Sequence, residues 1–357
     1  MRIIIAGGGT GGHLFPGIAI AREFQKKDPN VKILFVGTRQ GIESKILPKE
    51  NFDLKTILSS GLQGKFCWQT IVAFGKIPIG LLQSLWIIIK SRPNIVLGVG
   101  GYATGPFVLM AWLLRIPVVI QEQNLIPGIT NRILGKVVDK IFISFEKSKN
   151  YFPENKVELT GNPIKEEYFK KKPAIRKSRF NVLIFGGSRG AHSINCAMIE
   201  ALDYLVNESA AMHFIHQTGQ DQFKIVQEKY HEKKLPAEVS PFIFNMEDSY
   251  RRSNLVVCRA GATTIAELTA IGRAAILIPF PFAANNHQES NAELLVKEGA
   301  AIMLKDSELT GEKLAELIKK LMLHPDKLVE MEKASLRMAK KEAGKKIVNQ
   351  CYRLLGG

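Results

Sequence analysis

The chain has 357 residues, 46% of them apolar, which excludes a disordered or fibrous protein and suggests two globular domains. Its 49 Lys and Arg against 33 Asp and Glu give a net charge of +16, which points to an anionic partner. The four cysteines (Cys67, Cys196, Cys258, Cys351) form no C-x-x-C pair, which argues against a disulfide framework or a zinc site and fits a reduced cytosolic protein.

The N-terminal apolar run is too short for a signal peptide. Arg2 to Ala6 is predicted as a buried strand that runs into Gly7-Gly8-Gly9-Thr10-Gly11-Gly12-His13. Gly7, Gly9 and Gly12 satisfy G-x-G-x-x-G, which alone is a weak dinucleotide signal. The next strand, Val31 to Val36, ends in Gly37-Thr38-Arg39, with no acidic residue there for an adenosine ribose. Arg39 suits a 2′-phosphate, so NADP binding stays open beside approach of the glycine backbone to another diphosphate.

From Leu54 through Gln121 there is no acidic residue, and this basic segment is also the most apolar in the chain. That combination suits a lipid surface better than nucleic acid. Within it, the charge-free run Ile77 to Ile89 is shorter than the ~20 residues needed to span a bilayer. Its helix reads either as core or as lying on a membrane, with Leu82, Trp86 and Ile89 on a second apolar side.

Strands are predicted at Ile95 to Val99, before Gly100-Gly101-Tyr102-Ala103-Thr104-Gly105-Pro106, and at Pro117 to Ile120, before Gln121-Glu122-Gln123-Asn124. Three loops thus converge at one sheet edge, which marks a site. Asp139 to Ser144 and Val157 to Leu159 complete this half, Gly161-Asn162-Pro163-Ile164-Lys165 marks the exit, and Lys170 to Arg179 reads as a linker.

Asn181 to His192, NVLIFGGSRGAH, then repeats the opening, so the chain holds two similar Rossmann-like halves. Ala211 to Gln217 and Val239 to Ile243 read as further strands, and His192 and His216 as structural. Leu255 to Val257 is a strand, followed by the turn Arg259-Ala260-Gly261 and a helix from Ala262 to Ile271, stopped by Gly272. Another strand, Ala274 to Ile278, breaks at Pro279, and an elbow from Asn285 to Gln288 leads into a helix from Glu289 to Glu298. Small residues at a helix start leave N–H groups for an anion, Glu267 one turn in can accept from a ribose diol, and the Asn-rich elbow can read sugar hydroxyls. Helices follow from Thr310 to Leu323, from Pro325 onward and from Lys340 to Leu355. No Asp-x-Asp pair, paired-carboxylate site or Ser-His-Asp set stands out, so no metal or cofactor is expected.

The pattern R-x-G-A-x-T-x-x-E from Arg259 to Glu267, with N-H-Q-x-x-N-A from Asn286 to Ala292 and G-G-Y-x-[ST]-G-P from Gly100 to Pro106, carries a resemblance. Over essentially its whole length the chain resembles the bacterial GT-B glycosyltransferases that add N-acetylglucosamine to lipid-linked muramyl-pentapeptide. The resemblance implies an α/β GT-B fold: two Rossmann-like domains with parallel sheets facing a central cleft, and a C-terminal helix crossing back to the first. Residues 1–161 with about 338–357 would form an acceptor and membrane-associated domain, and residues 162–337 the UDP-sugar donor domain. The implied reaction is inverting transfer from UDP-N-acetylglucosamine to the C4 hydroxyl of undecaprenyl-pyrophosphoryl-N-acetylmuramyl-pentapeptide, in peptidoglycan synthesis. The implied location is the cytoplasmic face of the inner membrane, as a peripheral protein on an anionic surface, with no nucleic acid as partner.

Donor contacts are expected from Thr10, Gly11, Gly12, Asn124, Lys165, Ser188 and Arg259, and from Ala262, Thr263, Thr264, Ile265 and Ala266 at the helix start. The backbone of Ile243 would read uracil, Glu267 would hold the ribose, and Gln288 with Asn291 would orient the sugar. Acceptor contacts are expected at Gly101, Tyr102, Thr104 and Gly105, and membrane contacts at Lys65, Phe66, Trp68, Lys76, Leu82 and Trp86. His13, at a helix start where the dipole favours a neutral ring, is the expected general base, with Glu122 the next candidate. The chain departs from the family pattern at Gln121 (usually His), Lys165 (usually Arg) and Arg189 (usually Gln). A related GT-B enzyme such as a diacylglycerol glucosyltransferase or a UDP-N-acetylglucosamine 2-epimerase, an NADP oxidoreductase, and a non-catalytic nucleotide-binding module remain as alternatives.

Overall fold

Runs of β-branched and aliphatic residues bounded by glycine become strands of two parallel sheets. A computed structural model describes residues 1–59, 68–170, 179–283 and 286–356, with the side chains of 68–77 outside that description. Lys65, Phe66, most of the expected linker and Asn285 therefore lie outside the described residues, as do the side chains of Trp68 and Lys76. The chain divides into Met1–Lys165 with Lys340–Gly357, and Glu166–Ala339.

In the first unit the strands are β1 (Arg2–Gly7), β2 (Lys32–Gly37), β3 (Asp53–Thr56), β4 (Ile95–Gly100), β5 (Val118–Glu122), β6 (Lys140–Ile143) and β7 (Val157–Leu159). They form one sheet in the order β3-β2-β1-β4-β5-β6-β7, and its strand pairs are parallel. Ile4 of β1 lies between Leu34 of β2 and Val96 of β4. Side chains alternate across a strand, so Ile3 and Ile5 enter one core layer while Ile4 and Ala6 enter the other. Burial on both faces explains why β1 and β4 read as unbroken apolar runs.

The helices of this unit are α1 (Gly11–Lys27), α2 (Glu43–Ile46), α3 (Trp68–Ser91), α4 (Thr104–Leu113) and α5 (Ile129–Leu134). In α3, Ile87 and Ile88 are buried while Leu82, Trp86 and Ile89 are exposed at 66%, 59% and 61%. The helix therefore serves the core on one side and presents apolar surface on the other. No helix among the described residues is long and apolar enough to cross a membrane.

The second unit contains β8 (Phe180–Phe185), β9 (Met212–Gln217), β10 (Ala237–Ser240), β11 (Leu255–Cys258), β12 (Ala274–Leu277) and β13 (Ala301–Met303). Their order, β10-β9-β8-β11-β12-β13, repeats the pattern of the first sheet. Helices α6 (His192–Leu205), α7 (Phe223–Glu232), α8 (Met246–Arg252), α9 (Ala262–Ile271), α10 (His287–Lys297), α11 (Gly311–Leu323) and α12 (Pro325–Arg337) belong to it. Its core joins Val182 and Ile184 to Met198 and Leu202 of α6 and to Leu314 and Ile318 of α11. The final helix, α13 (Ala343–Leu354), packs in the first unit, where Ile347, Val348 and Cys351 enter the layer containing Ile3 and Phe24.

The expected strand from Val239 to Ile243 instead ends at Ser240, because Pro241 has no N–H for the ladder. The strand β3 was not expected: it is a short edge strand with an exposed Asp53 and no buried residue.

Candidate active site

In each unit the strand order turns back beside the first strand: β1 lies between β2 and β4, and β8 between β9 and β11. Loops leaving two such neighbours part to opposite faces of the sheet, opening a crevice at their carboxyl ends. The glycine turns of the sequence occupy these positions.

In the first unit the turns after β1 and β4 interlock. The Gly8 N–H donates to the Gly100 carbonyl at 3.2 Å. Gly101 has φ +88, and a Cβ there would lie 2.3 Å from the Gly8 carbonyl oxygen, so no larger residue allows this approach. The hydroxyl of Thr104 donates to the carbonyls of Ala6 and Gly100, both at 2.9 Å, and is wholly buried. Thr104, expected to touch an acceptor, thus braces the loop from within, whereas Tyr102 is 46% exposed. Thr10 and Gly12 are exposed and Gly11 half-buried. In the first turn of α1 the His13 ring lies against Gly100, with Nδ1 3.2 Å from the Thr10 hydroxyl.

Glu43 has no counterpart among the expected site residues. It is fully buried, and its carboxylate accepts from the Gly9 N–H at 2.7 Å, the Thr38 N–H at 2.8 Å and the Thr38 hydroxyl at 3.1 Å. A Cβ at Gly8, Gly37 or Gly41 would meet this carboxylate at 2.8, 2.6 or 2.0 Å. An N–H that a dinucleotide pyrophosphate would need is therefore taken by an internal anion, which weighs against the NADP alternative. The only trace of this in the sequence is the spacing of Gly37, Gly41 and Glu43.

Glu122, the second base candidate, is 1% exposed at the end of β5. Its oxygens accept from the Asn124 N–H at 2.9 Å, the Asn131 amide at 2.9 Å, the Asn124 amide at 3.2 Å and the Gly128 N–H at 3.3 Å. Burial raises its pKa, against the pull of these donors. Glu122 and Asn124 so organise the loop after β5 around themselves. Gln121 is likewise buried, with its amide 3.3 Å from the Ser144 hydroxyl and 3.4 Å from Asn162 Oδ1. Lys165, expected at a diphosphate, pairs with Glu50 at 2.6 Å. Burial by itself would raise the Glu50 carboxyl, yet Lys165 and Arg22 hold it below the usual carboxylate range.

In the second unit the turn after β8 runs from Gly186 to Ala191. A Cβ at Gly190 (φ +79) would lie 2.0 Å from the Thr218 carbonyl oxygen, so the turn lies backbone to backbone on the end of β9. Ser188 is half-buried there and Arg189 is exposed. Gln217 ties the pieces together: its amide donates to the Gly187 carbonyl at 2.8 Å and its oxygen accepts the Ile243 N–H at 2.8 Å. His216 beneath it is fully buried between Tyr230 and Asn195, and burial pushes its pKa down to about 3, in keeping with a structural role.

The turn after β11 delivers Arg259 into the protein. Its guanidinium pairs with Asp306 and donates to the carbonyls of Ile278 (3.2 Å) and Pro279 (3.1 Å) and to the Ser193 hydroxyl (2.8 Å). At 8% exposure Arg259, expected at the diphosphate, braces the strand ends. Gly261 provides no side-chain cap, so the first turn of α9, Ala262 to Ile265, keeps the positive end of its dipole toward the strand ends. Ala266 and Glu267 follow on its half-buried side. Asn291 is fully buried and donates to the Ala260 carbonyl at 3.2 Å, and the Gln288 oxygen accepts the Phe280 N–H at 3.0 Å. Both therefore hold the loops around α9, with Asn291 behind the surface rather than on it.

Comparison with known proteins agrees with this architecture. Residues 3–143 match the glycosyltransferase family 28 N-terminal domain and residues 181–350 its C-terminal domain. A Myxococcus xanthus protein named UDP-N-acetylglucosamine--N-acetylmuramyl-(pentapeptide) pyrophosphoryl-undecaprenol N-acetylglucosamine transferase is 47% identical over 99% of this chain and 93% of its own length. The structure of Acinetobacter baumannii MurG superposes with a TM-score of 0.76 at 30% identity, covering 99% of each chain. A UDP-GlcNAc 2-epimerase from Neisseria meningitidis shares the fold at a TM-score of 0.70 and 15% identity, covering 99% of this chain and 100% of its own. With both domain models matched in order and a relative of such identity spanning nearly its whole length, the chain belongs to glycosyltransferase family 28.

Proposed function

We propose that this protein transfers N-acetylglucosamine from UDP-N-acetylglucosamine to undecaprenyl-pyrophosphoryl-N-acetylmuramyl-pentapeptide. The observation that carries the reading is identity of 44–47% over 98–99% of the chain to relatives named for this reaction. In the proposed step the C4 oxygen of the acceptor sugar attacks the anomeric carbon. The bond from that carbon to the β-phosphate oxygen breaks, its electron pair leaves with UDP, and the configuration inverts. The hydroxyl proton passes to His13. If Nδ1–H donates to the Thr10 hydroxyl, Nε2 carries the lone pair that takes this proton.

In the second unit the Ile243 carbonyl accepts the uracil N3–H, Glu267 holds the ribose diol, and the starts of α6 and α9 meet the diphosphate. Gln217 and Arg259 support these groups from behind through the bonds described above. The reading is tested by UDP release from purified protein given UDP-N-acetylglucosamine and the lipid-linked acceptor. UDP should appear only with both substrates present, and Glu267→Ala should lower kcat/KM by about 10²-fold or more. Formation of an epimerised sugar without acceptor would replace the transferase by the epimerase reading.

The same proposal includes a resting place on the anionic cytoplasmic leaflet of the inner membrane. Its support is the exposed apolar side of α3, where the amines of Lys55 and Lys90 lie 5.0 and 5.1 Å from the centre of the Trp86 ring. Trp112 and Leu113 of α4, the helix packed beside α3, are exposed at 41% and 57%. Apolar rings flanked by lysines suit the boundary between headgroups and acyl chains.

A further inference from the structure

Tyr250 of α8 is wholly buried, its ring edge-on to Phe185 at 5.8 Å and to Tyr168 at 6.1 Å. Its hydroxyl donates to Glu267 Oε2 at 3.1 Å. Tyr168, 8% exposed in the short turn Glu166–Phe169, packs its ring on Tyr250 and brings a second phenol within electrostatic reach of the same carboxylate. Burial, and then the charge of Glu267, raise both phenols well above their ordinary pKa, so both stay protonated donors. Phenylalanine would satisfy the ring packing at either position without burying a hydroxyl. Two phenols from separate segments thus gather about one carboxylate, and the one that bonds it directly, backed by the ring of the other, limits where that carboxylate points.

We infer that Tyr250 and Tyr168 are positioning residues for the nucleotide ribose: they hold the Glu267 carboxylate in one orientation, so that its remaining lone pairs face the 2′,3′-diol of a ribonucleotide. A glutamate left alone would have to give up its rotamer freedom when the donor arrives. One held in advance loses that freedom on folding instead, which tightens binding without any new contact to the ligand. The inference rests on the reading of Glu267 as the ribose acceptor.

The test compares wild type, Glu267→Gln, Tyr250→Phe, Tyr168→Phe and the double Tyr→Phe variant. Affinities for UDP and 2′-deoxy-UDP are measured by calorimetry, with KM and kcat for both substrates and the melting temperature without ligand. Wild type should prefer UDP to its 2′-deoxy analogue. Tyr250→Phe should raise the donor KM roughly tenfold, keep kcat within about twofold, leave the acceptor KM alone and shrink the preference for the 2′-hydroxyl. Tyr168→Phe should move the same quantities in the same direction, which keeps the test open should Tyr250→Phe fold poorly.

A lower melting temperature with an unchanged UDP preference would make the tyrosines packing residues only and overturn the inference. If Glu267→Gln destroys the preference and the double variant retains it, the tyrosine inference falls while the ribose reading stands. If Glu267→Gln itself leaves the preference intact, the ribose reading fails and takes this one with it.

Discussion

At the scale of the residue, the reaction turns on one proton. A sugar hydroxyl is a poor nucleophile until its proton has somewhere to go, and near neutral pH a histidine ring is well matched to receive it. His13 lies on the Gly100 backbone, where any side chain at position 100 would collide with its ring: a Cβ would come 2.6 Å from Cδ2. The neighbouring Gly9 is held by buried Glu43. The ring is thus seated by the two glycine turns together. His13→Ala should lower kcat by ~10²–10⁴-fold at saturating acceptor, and the acidic limb of the kcat profile should disappear with it. His13→Gln, which keeps a hydrogen-bonding side chain and no titrating group, separates the roles. Near-native kcat in that variant would make His13 a binding residue and send the proton elsewhere.

Helix α3 shows at the scale of the element what a sequence can and cannot say. Its apolar residues surround nearly the whole circumference, so composition alone leaves core and surface readings open; the packing of Ile87 and Ile88 inward and Leu82 and Trp86 outward divides them. The proposed membrane contact is checked with vesicles. Each lysine near an anionic surface contributes about 1 kcal/mol, screened by salt, so binding should weaken as ionic strength rises. Lys55→Glu with Lys90→Glu should reduce it by an order of magnitude or more, and Trp86→Ala should reduce binding even at high salt. Equal binding to neutral and anionic vesicles at every salt concentration would count against the contact. The parallel sheets and their glycine turns were legible because buried strands read as apolar runs and because the Ile3 opening returns at Asn181. The directions of polar side chains at strand ends were not. Thr104, Glu122, Arg259 and Asn291 look the same in sequence whether they face a ligand or the backbone of their own loops. Glu43 was hidden for another reason: its partner Gly9 lies 34 residues away, joined to it only by folding.

For the whole molecule, the chain starts and finishes in the same unit. After Ala339 it returns to the first unit, where α13 lies along α1: Lys27 donates to Asn349 at 2.7 Å, and Phe24 meets Tyr352 at 6.1 Å. A Cβ at Gly344 would come 2.8 Å from Glu23, so the helices approach closely there. Ile347, Val348 and Cys351 are buried in the core layer of Ile3 and Phe24. Burying one such aliphatic side chain contributes ~1.5–3 kcal/mol, so removing α13 withdraws several kcal/mol from the first unit and bares its partners on α1. A chain ended after Ala339 should therefore have a loosened first unit, cut readily by protease between Met1 and Lys165. The second unit retains β8 to β13, Ile243 and Glu267, and on the proposed reading it still binds UDP. A ligand at a hundred times its Kd adds about 2.7 kcal/mol to the state that binds it, so UDP should raise the melting temperature of the second unit in both the full and the shortened chain. Transfer to the acceptor should be lost in the shortened chain. A protease-resistant first unit would show α13 to be dispensable there. Loss of the UDP effect would mean that the donor site needs the first unit as well.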